Sequence, residues 1–132
     1  MDINETRCRT RINSSKELEE LLAKYSLDYY FIDWVAATGV TINYIPNPYK
    51  QPNDWYGTLE DRRNCSQRIL INKDMQEKQK DITLIHELIH LAVPSIPYNN
   101  EFEAENKGTI DRIAASYVEK KDFMDYIKKT IK

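Results

Sequence analysis

The hydrophobic positions change period several times along the chain, and each change marks a predicted element. Leu18, Leu21, Leu22 and Tyr25 recur at helical spacing behind Ser14 and Glu17, which stand three apart as in a capping box, so residues 15–25 read as an amphipathic helix. A second apolar stretch, Tyr29 to Ala37, stops at Thr38 and Gly39, where glycine can take the left-handed conformation that ends a helix. It is predicted to be short and well buried, with Trp34 in the core. From Val40 to Ile45 the period becomes two, with Val40, Ile42 and Tyr44 on one face, and Pro46 ends this strand. Pro46, Pro48 and Pro52 with Asn47 and Asn53 make a loop. Trp55 to Leu59 and Ser66 to Asn72 then flank a polar segment and read as two antiparallel strands, Ile69 and Ile71 sharing a face.

Beyond Asn72 the pattern is helical. Asp74 or Asp81 can cap a segment that runs to Val93, where Pro94 forbids continuation. After a loop, residues from about 100 to 119 form the next helix, with Ile110, Ile113, Ala114 and Tyr117 on one stripe. Asp122 can cap a last short helix carrying Phe123, Tyr126, Ile127 and Ile131. The expected fold class is α+β: a small, largely antiparallel three-stranded sheet packed with about five helices.

A chain of 132 residues with 41% hydrophobic positions suffices for one core, so residues 1–132 are expected to form a single domain, with 1–13 a polar N-terminal arm. Nineteen Lys plus Arg against 21 Asp plus Glu leave a net charge of −2, which disfavours direct nucleic-acid binding. Arg7, Arg9 and Arg11 read as part of the solvated arm. No apolar run long enough to span a membrane and no secretory leader is visible, so a cytoplasmic location is expected. Cys8 and Cys65 are too few for a disulfide framework, and three glycines rule out a glycine-rich phosphate loop.

The segment Ile85-His86-Glu87-Leu88-Ile89-His90 contains His-Glu-x-x-His within an apolar helix, and its histidines are the only two in the chain. Chance would produce the pattern in about one of a thousand sequences of this composition. Residues four apart lie on one helical face, so the two imidazoles can grip one cation. Zn2+ suits neutral imidazole and keeps one position open, and Glu87 can then act on water as the general base. A third ligand has to be a carboxylate from the next helix. Glu103, seven positions before Ile110 and in phase with it, is the choice, while Glu101 and Glu105 fall near the opposite side. Glu105, Asp111 and Glu119 stay open because Gly108 could break the helix and shift its phase. Tyr98 and Tyr117 are candidates for the electrophile that zinc peptidases place near the oxyanion.

Trp55-Tyr56-Gly57-Thr58, the Arg68-Ile69-Leu70-Ile71-Asn72 strand and Thr83-Leu84-Ile85-His86-Glu87-Leu88-Ile89-His90 together resemble the ImmA/IrrE metallopeptidases, over roughly residues 14–118. In that family a later Glu, commonly in a Glu-Ala pair, completes the zinc site, and Glu103-Ala104 matches the pair. The family's Phe-Ala step, four residues beyond that Glu, is replaced here by Lys107-Gly108. Arg112-Ile113-Ala114-Ala115 also looks like the family's later text, and alignment on it puts Thr109 at the ligand position. The resemblance implies one Zn2+ per chain and a protein or peptide substrate, namely a helix-turn-helix repressor of a phage or mobile element. The competing readings are a non-catalytic, metal-containing protein-binding module and a toxin–antitoxin-type partner.

Overall fold

A computed structural model describes residues 27–49, 55–60, 67–93 and 100–131, together with Glu20; within 100–105 only the backbone is described. The elements in chain order are α1 (Tyr29–Ala37), β1 (Thr41–Ile45), β2 (Gly57–Glu60), β3 (Arg68–Asn72), α2 (Glu77–Ala92), α3 (Asn100–Val118) and α4 (Lys121–Thr130). The class is α+β, with four helices among the described residues; of the helix expected over 15–25 only Glu20 is described, in helical conformation, and the rest lies outside them. No helix among the described residues is long and apolar enough to cross a membrane.

The sheet is mixed rather than largely antiparallel. Its order is β1-β3-β2, with β1 parallel to β3 (Ile42 opposite Ile69, Tyr44 opposite Ile71) and β2 antiparallel to β3 (Thr58 opposite Leu70). Period-two alternation reports burial of one face and is the same for either pairing sense. What decides the topology is that β3 inserts between the first two strands, and this depends on long-range contacts. β3 is the most buried strand, with Ile69 and Ile71 fully covered as their spacing predicts. Asn72 closes its end: its backbone N–H donates to the Tyr56 carbonyl at 2.8 Å and its side-chain amide to the Trp55 carbonyl at 2.9 Å.

α1 is neither well buried nor a home for Trp34. A nine-residue helix resting on the core by one edge buries a single stripe, here Ile32 and Val35. Trp34 is 57% exposed and stacks on Phe31, with centroids 5.9 Å apart. The helix does stop where glycine predicts, Gly39 having φ 87°. Asp28, unremarked in the sequence, caps its start by accepting from the Phe31 N–H at 2.8 Å.

α2 begins at Glu77, later than a cap at Asp74 and earlier than one at Asp81. Asn72 Oδ1 accepts from the Asp74 N–H at 3.0 Å, which commits residues 72–75 to a turn and delays the helix. Gln76 occupies the N-cap position without a side-chain hydrogen bond. α2 packs on β3 and β2, α3 lies along α2, and α4 closes against α1 and α3. In α4, Lys120 holds the N-cap position and Asp122 falls in the first turn. One core joins all of this: Ile69 and Ile71 from the sheet, Leu84, Ile85, Leu88 and Ile89 from α2, Ile110 and Ala114 from α3, and Phe123, Met124 and Ile127 from α4.

Candidate metal centre

From Thr83 to His90 every residue of α2 is buried. An amphipathic helix buries one stripe, so complete burial requires neighbours on all sides, which the sheet and α3 supply. Three polar residues of the motif go under with it: His86 and His90 are each 6% exposed and Glu87 is 3%. The helical repeat stacks the imidazoles, with ring centroids 5.0 Å apart and planes at 53°. Zinc–nitrogen bonds of about 2.0–2.1 Å in tetrahedral geometry put the centres of two rings sharing one ion about 5 Å apart. The spacing therefore fits a shared ion.

The orientation of His86 comes from α3. Its Nδ1 lies 2.8 Å from Oδ1 of Asp111. Burial pushes the Asp111 carboxyl up, but hydrogen bonds from His86 and Lys107, and their charges, outweigh it, so the net effect holds the group below the usual carboxylate range. An ionised carboxylate can only accept. Nδ1 is thus the donor, and in the neutral ring Nε2 carries the lone pair that a metal needs. Carboxylate-to-histidine contacts of this kind fix the tautomer and raise the basicity of metal-ligating imidazoles.

Asp111 has a second neighbour. The Lys107 ammonium, one turn earlier on α3, donates to Oδ2 of the same carboxylate. It also lies over the Tyr56 ring, 4.4 Å from the centroid, in the lead-in to β2. β2 itself comes close to α2: a Cβ built on Gly57 would sit 2.6 Å from Thr83 Cγ2 and 2.6 Å from the Leu70 carbonyl oxygen. Thr83 is three residues before His86, so this close approach lays β2 alongside the motif.

The remaining predicted residues divide clearly. α3 runs unbroken from Asn100 to Val118, so Gly108 does not shift its phase. The side chains of Glu101, Glu103 and Glu105, and the whole of Tyr98, lie outside what is described. Asp111 is engaged at Nδ1 of His86, and Glu119 is exposed beyond the end of α3. Tyr117 is built into the packing elsewhere: its hydroxyl accepts from the Leu27 N–H at 2.9 Å and its ring lies 6.0 Å from Phe123. Among the described residues no group of three or more His, Cys, Asp or Glu side chains is gathered to hold a metal. Two imidazoles, one of them oriented by a carboxylate, fit zinc as far as they go.

Lys107 and Tyr56 stood in the sequence only as a departure from the family pattern and as part of a Trp-Tyr-Gly-Thr string. The available signal was weak: Lys107 and Asp111 are four apart, and Asp111 adjoins the core position Ile110. Comparison with known protein families, curated proteins and solved structures gave no match.

Proposed function

We propose that this chain is a zinc-dependent endopeptidase of the ImmA/IrrE kind, acting in the cytoplasm on a protein substrate, a helix-turn-helix repressor of a phage or mobile element. The observation that carries the reading is the joint burial of His86, Glu87 and His90 on one helix, with His86 turned by Asp111. Burying three such side chains costs stability unless each is used, and glutamate is almost never covered this fully without a partner.

His86 and His90 would hold the ion, with Glu103 as third donor. When bound, zinc supplies a Lewis acid that polarises a peptide carbonyl and acidifies water. Glu87 takes the proton from the attacking water onto its carboxylate and returns it to the departing amine nitrogen. Asp111 keeps the proton of His86 on Nδ1. β2 is an edge strand of the described sheet, seated through Gly57 against α2 beside the motif. An extended peptide adding to that edge would pass the motif, which favours a polypeptide over a small molecule.

The test compares Glu87→Gln with the parent, both zinc-loaded, on a proteome-derived peptide library and on repressor proteins. The amide cannot accept the proton, so cleavage should fall by about 10²- to 10⁴-fold with zinc content and melting temperature retained. A variant cutting at the parental rate removes Glu87 as the base. A parent that holds stoichiometric zinc and cuts nothing turns the reading toward a metal-containing binding module.

A further inference from the structure

We propose that Lys107 is a positioning residue for the histidine pair, acting through Asp111, with Tyr56 holding Lys107 in place. The proposal rests on the reading of His86 as a metal donor, but its first measurement does not need the metal. The side chains involved come from three elements: Tyr56 leads into β2, Lys107 and Asp111 lie one turn apart on α3, and His86 is on α2.

Asp111 is the hinge of the arrangement. Its side chain is 24% exposed, so the carboxylate has room to turn toward solvent or to exchange its two oxygens. The Lys107 ammonium takes Oδ2 and leaves Oδ1 facing His86 at 2.8 Å. A lysine is a poor clamp when its long stem is loose, and here the head group is fixed from the other side by the Tyr56 ring at 4.4 Å. Charge placement agrees. A cation beside a cation-binding pair would weaken it by repulsion, yet this ammonium lies on the Nδ1 side of His86 with the Asp111 carboxylate between them. Nε2, the nitrogen that would bind a metal, lies across the ring from Nδ1. Lys107 thus orients without competing.

A second lysine on an aromatic ring supplies the control. Lys120 lies over Tyr117 at 5.0 Å, at the far end of α3 and away from the histidines. If any lysine-to-ring contact beside α3 mattered in the same way, its loss would be felt equally.

The experiment uses the full chain and four variants: Lys107→Met, which keeps the stem and removes the charge, Lys107→Arg, Tyr56→Leu and Lys120→Met. In metal-free protein, ¹⁵N shifts of the His86 imidazole read the tautomer directly. Zn2+ affinity is read separately by competition with a chromophoric chelator, and thermal melts check that each variant is folded. Lys107→Met should turn a single Nδ1–H tautomer into a mixture and weaken Zn2+ binding by about tenfold, the lower end for partners outside the coordination shell. Lys107→Arg should restore both, Tyr56→Leu should move both in the direction of Lys107→Met by a smaller amount, and Lys120→Met should move neither. A folded Lys107→Met protein with the parental tautomer overturns the proposal, whether or not the metal binds. Parental protein with a pure Nδ1–H tautomer and no Zn2+ affinity overturns the metal reading, while the tautomer series still decides the role of Lys107.

Discussion

Asp81 and Asp111 each meet a lysine at the surface of α2, and comparing the two separates what holds the fold from what prepares the site. Asp81, on α2 itself, receives Lys128 of α4 at 2.8 Å, and that lysine is 39% exposed. Asp111, on α3, receives Lys107 on one oxygen and His86 on the other. The first pair ends in a bridge that ties two helices. The second passes through the carboxylate into the buried His86 ring. An interhelical ion pair can be exchanged for apolar contact at little cost in stability, whereas a carboxylate that dictates a tautomer has no apolar substitute.

The widest split between the pairs should appear in metal affinity. Asp111→Ala is expected to weaken Zn2+ binding by about 10- to 100-fold, and Asp81→Ala to leave it within about a factor of two, both measured by chelator competition. Equal losses would show that the two carboxylates merely support α2. A loss confined to Asp81→Ala would place the orienting role at the wrong end of the helix.

A smaller effect, on stability, tests whether the third contact on α2 belongs with the site or with the scaffold. Gly57 keeps φ outside the left-handed region, so its need for glycine is steric: the backbone approach to Thr83 and Leu70 leaves no room for Cβ. Gly57→Val should cost about 1–3 kcal/mol in denaturant unfolding, the usual range for overpacking. Because Tyr56 immediately precedes Gly57, the substitution should also loosen Zn2+ binding, which Asp81→Ala should not. Valine accepted without loss of stability would mean that β2 can move off α2 freely.

How far the sequence announced all this follows the range of the interactions. His86 and His90 lie four apart, so any helix at all brings their rings together, and no tertiary knowledge was needed. Gly39 ended α1 and the Ile69/Ile71 alternation marked β3 for equally local reasons. The parallel pairing of β1 with β3 was hidden because Val40 to Ile45 shows the same alternation in either sense. Trp34 stays exposed because hydrophobicity measures only what a side chain gains from cover, and α1 buries only the stripe of Ile32 and Val35. Asp111 was legible as a carboxylate near the core stripe of α3, yet its partner depended on how α3 slides along α2, which no period reports. Lys107 looked like a defect in a family pattern until the helix pair placed its ammonium on that carboxylate.

The smallest expected effect concerns the Asp81–Lys128 bridge and its dependence on pH. The hydrogen bond to Asp81 is the main reason the Lys128 pKa lies above the ordinary lysine value of 10.5, and Tyr44 and Glu77 add to it. A lysine whose folded pKa is raised contributes stability that is complete below its unfolded pKa and is lost as pH climbs through the folded one. Asp81 is only 16% exposed, but solvent reaches and screens the lysine end of the pair, so Lys128→Met should cost about 1 kcal/mol. That difference should be flat between about pH 7 and pH 9 and should close only above about pH 10.5. Tyr44 also titrates late, burial raising its pKa, so parent and variant are compared at each pH to remove its share. A gap that narrowed near neutrality would assign the stabilisation to a group other than Lys128. A gap that persisted through strong alkali would leave the packing of the lysine stem, rather than its charge, as what joins α4 to α2.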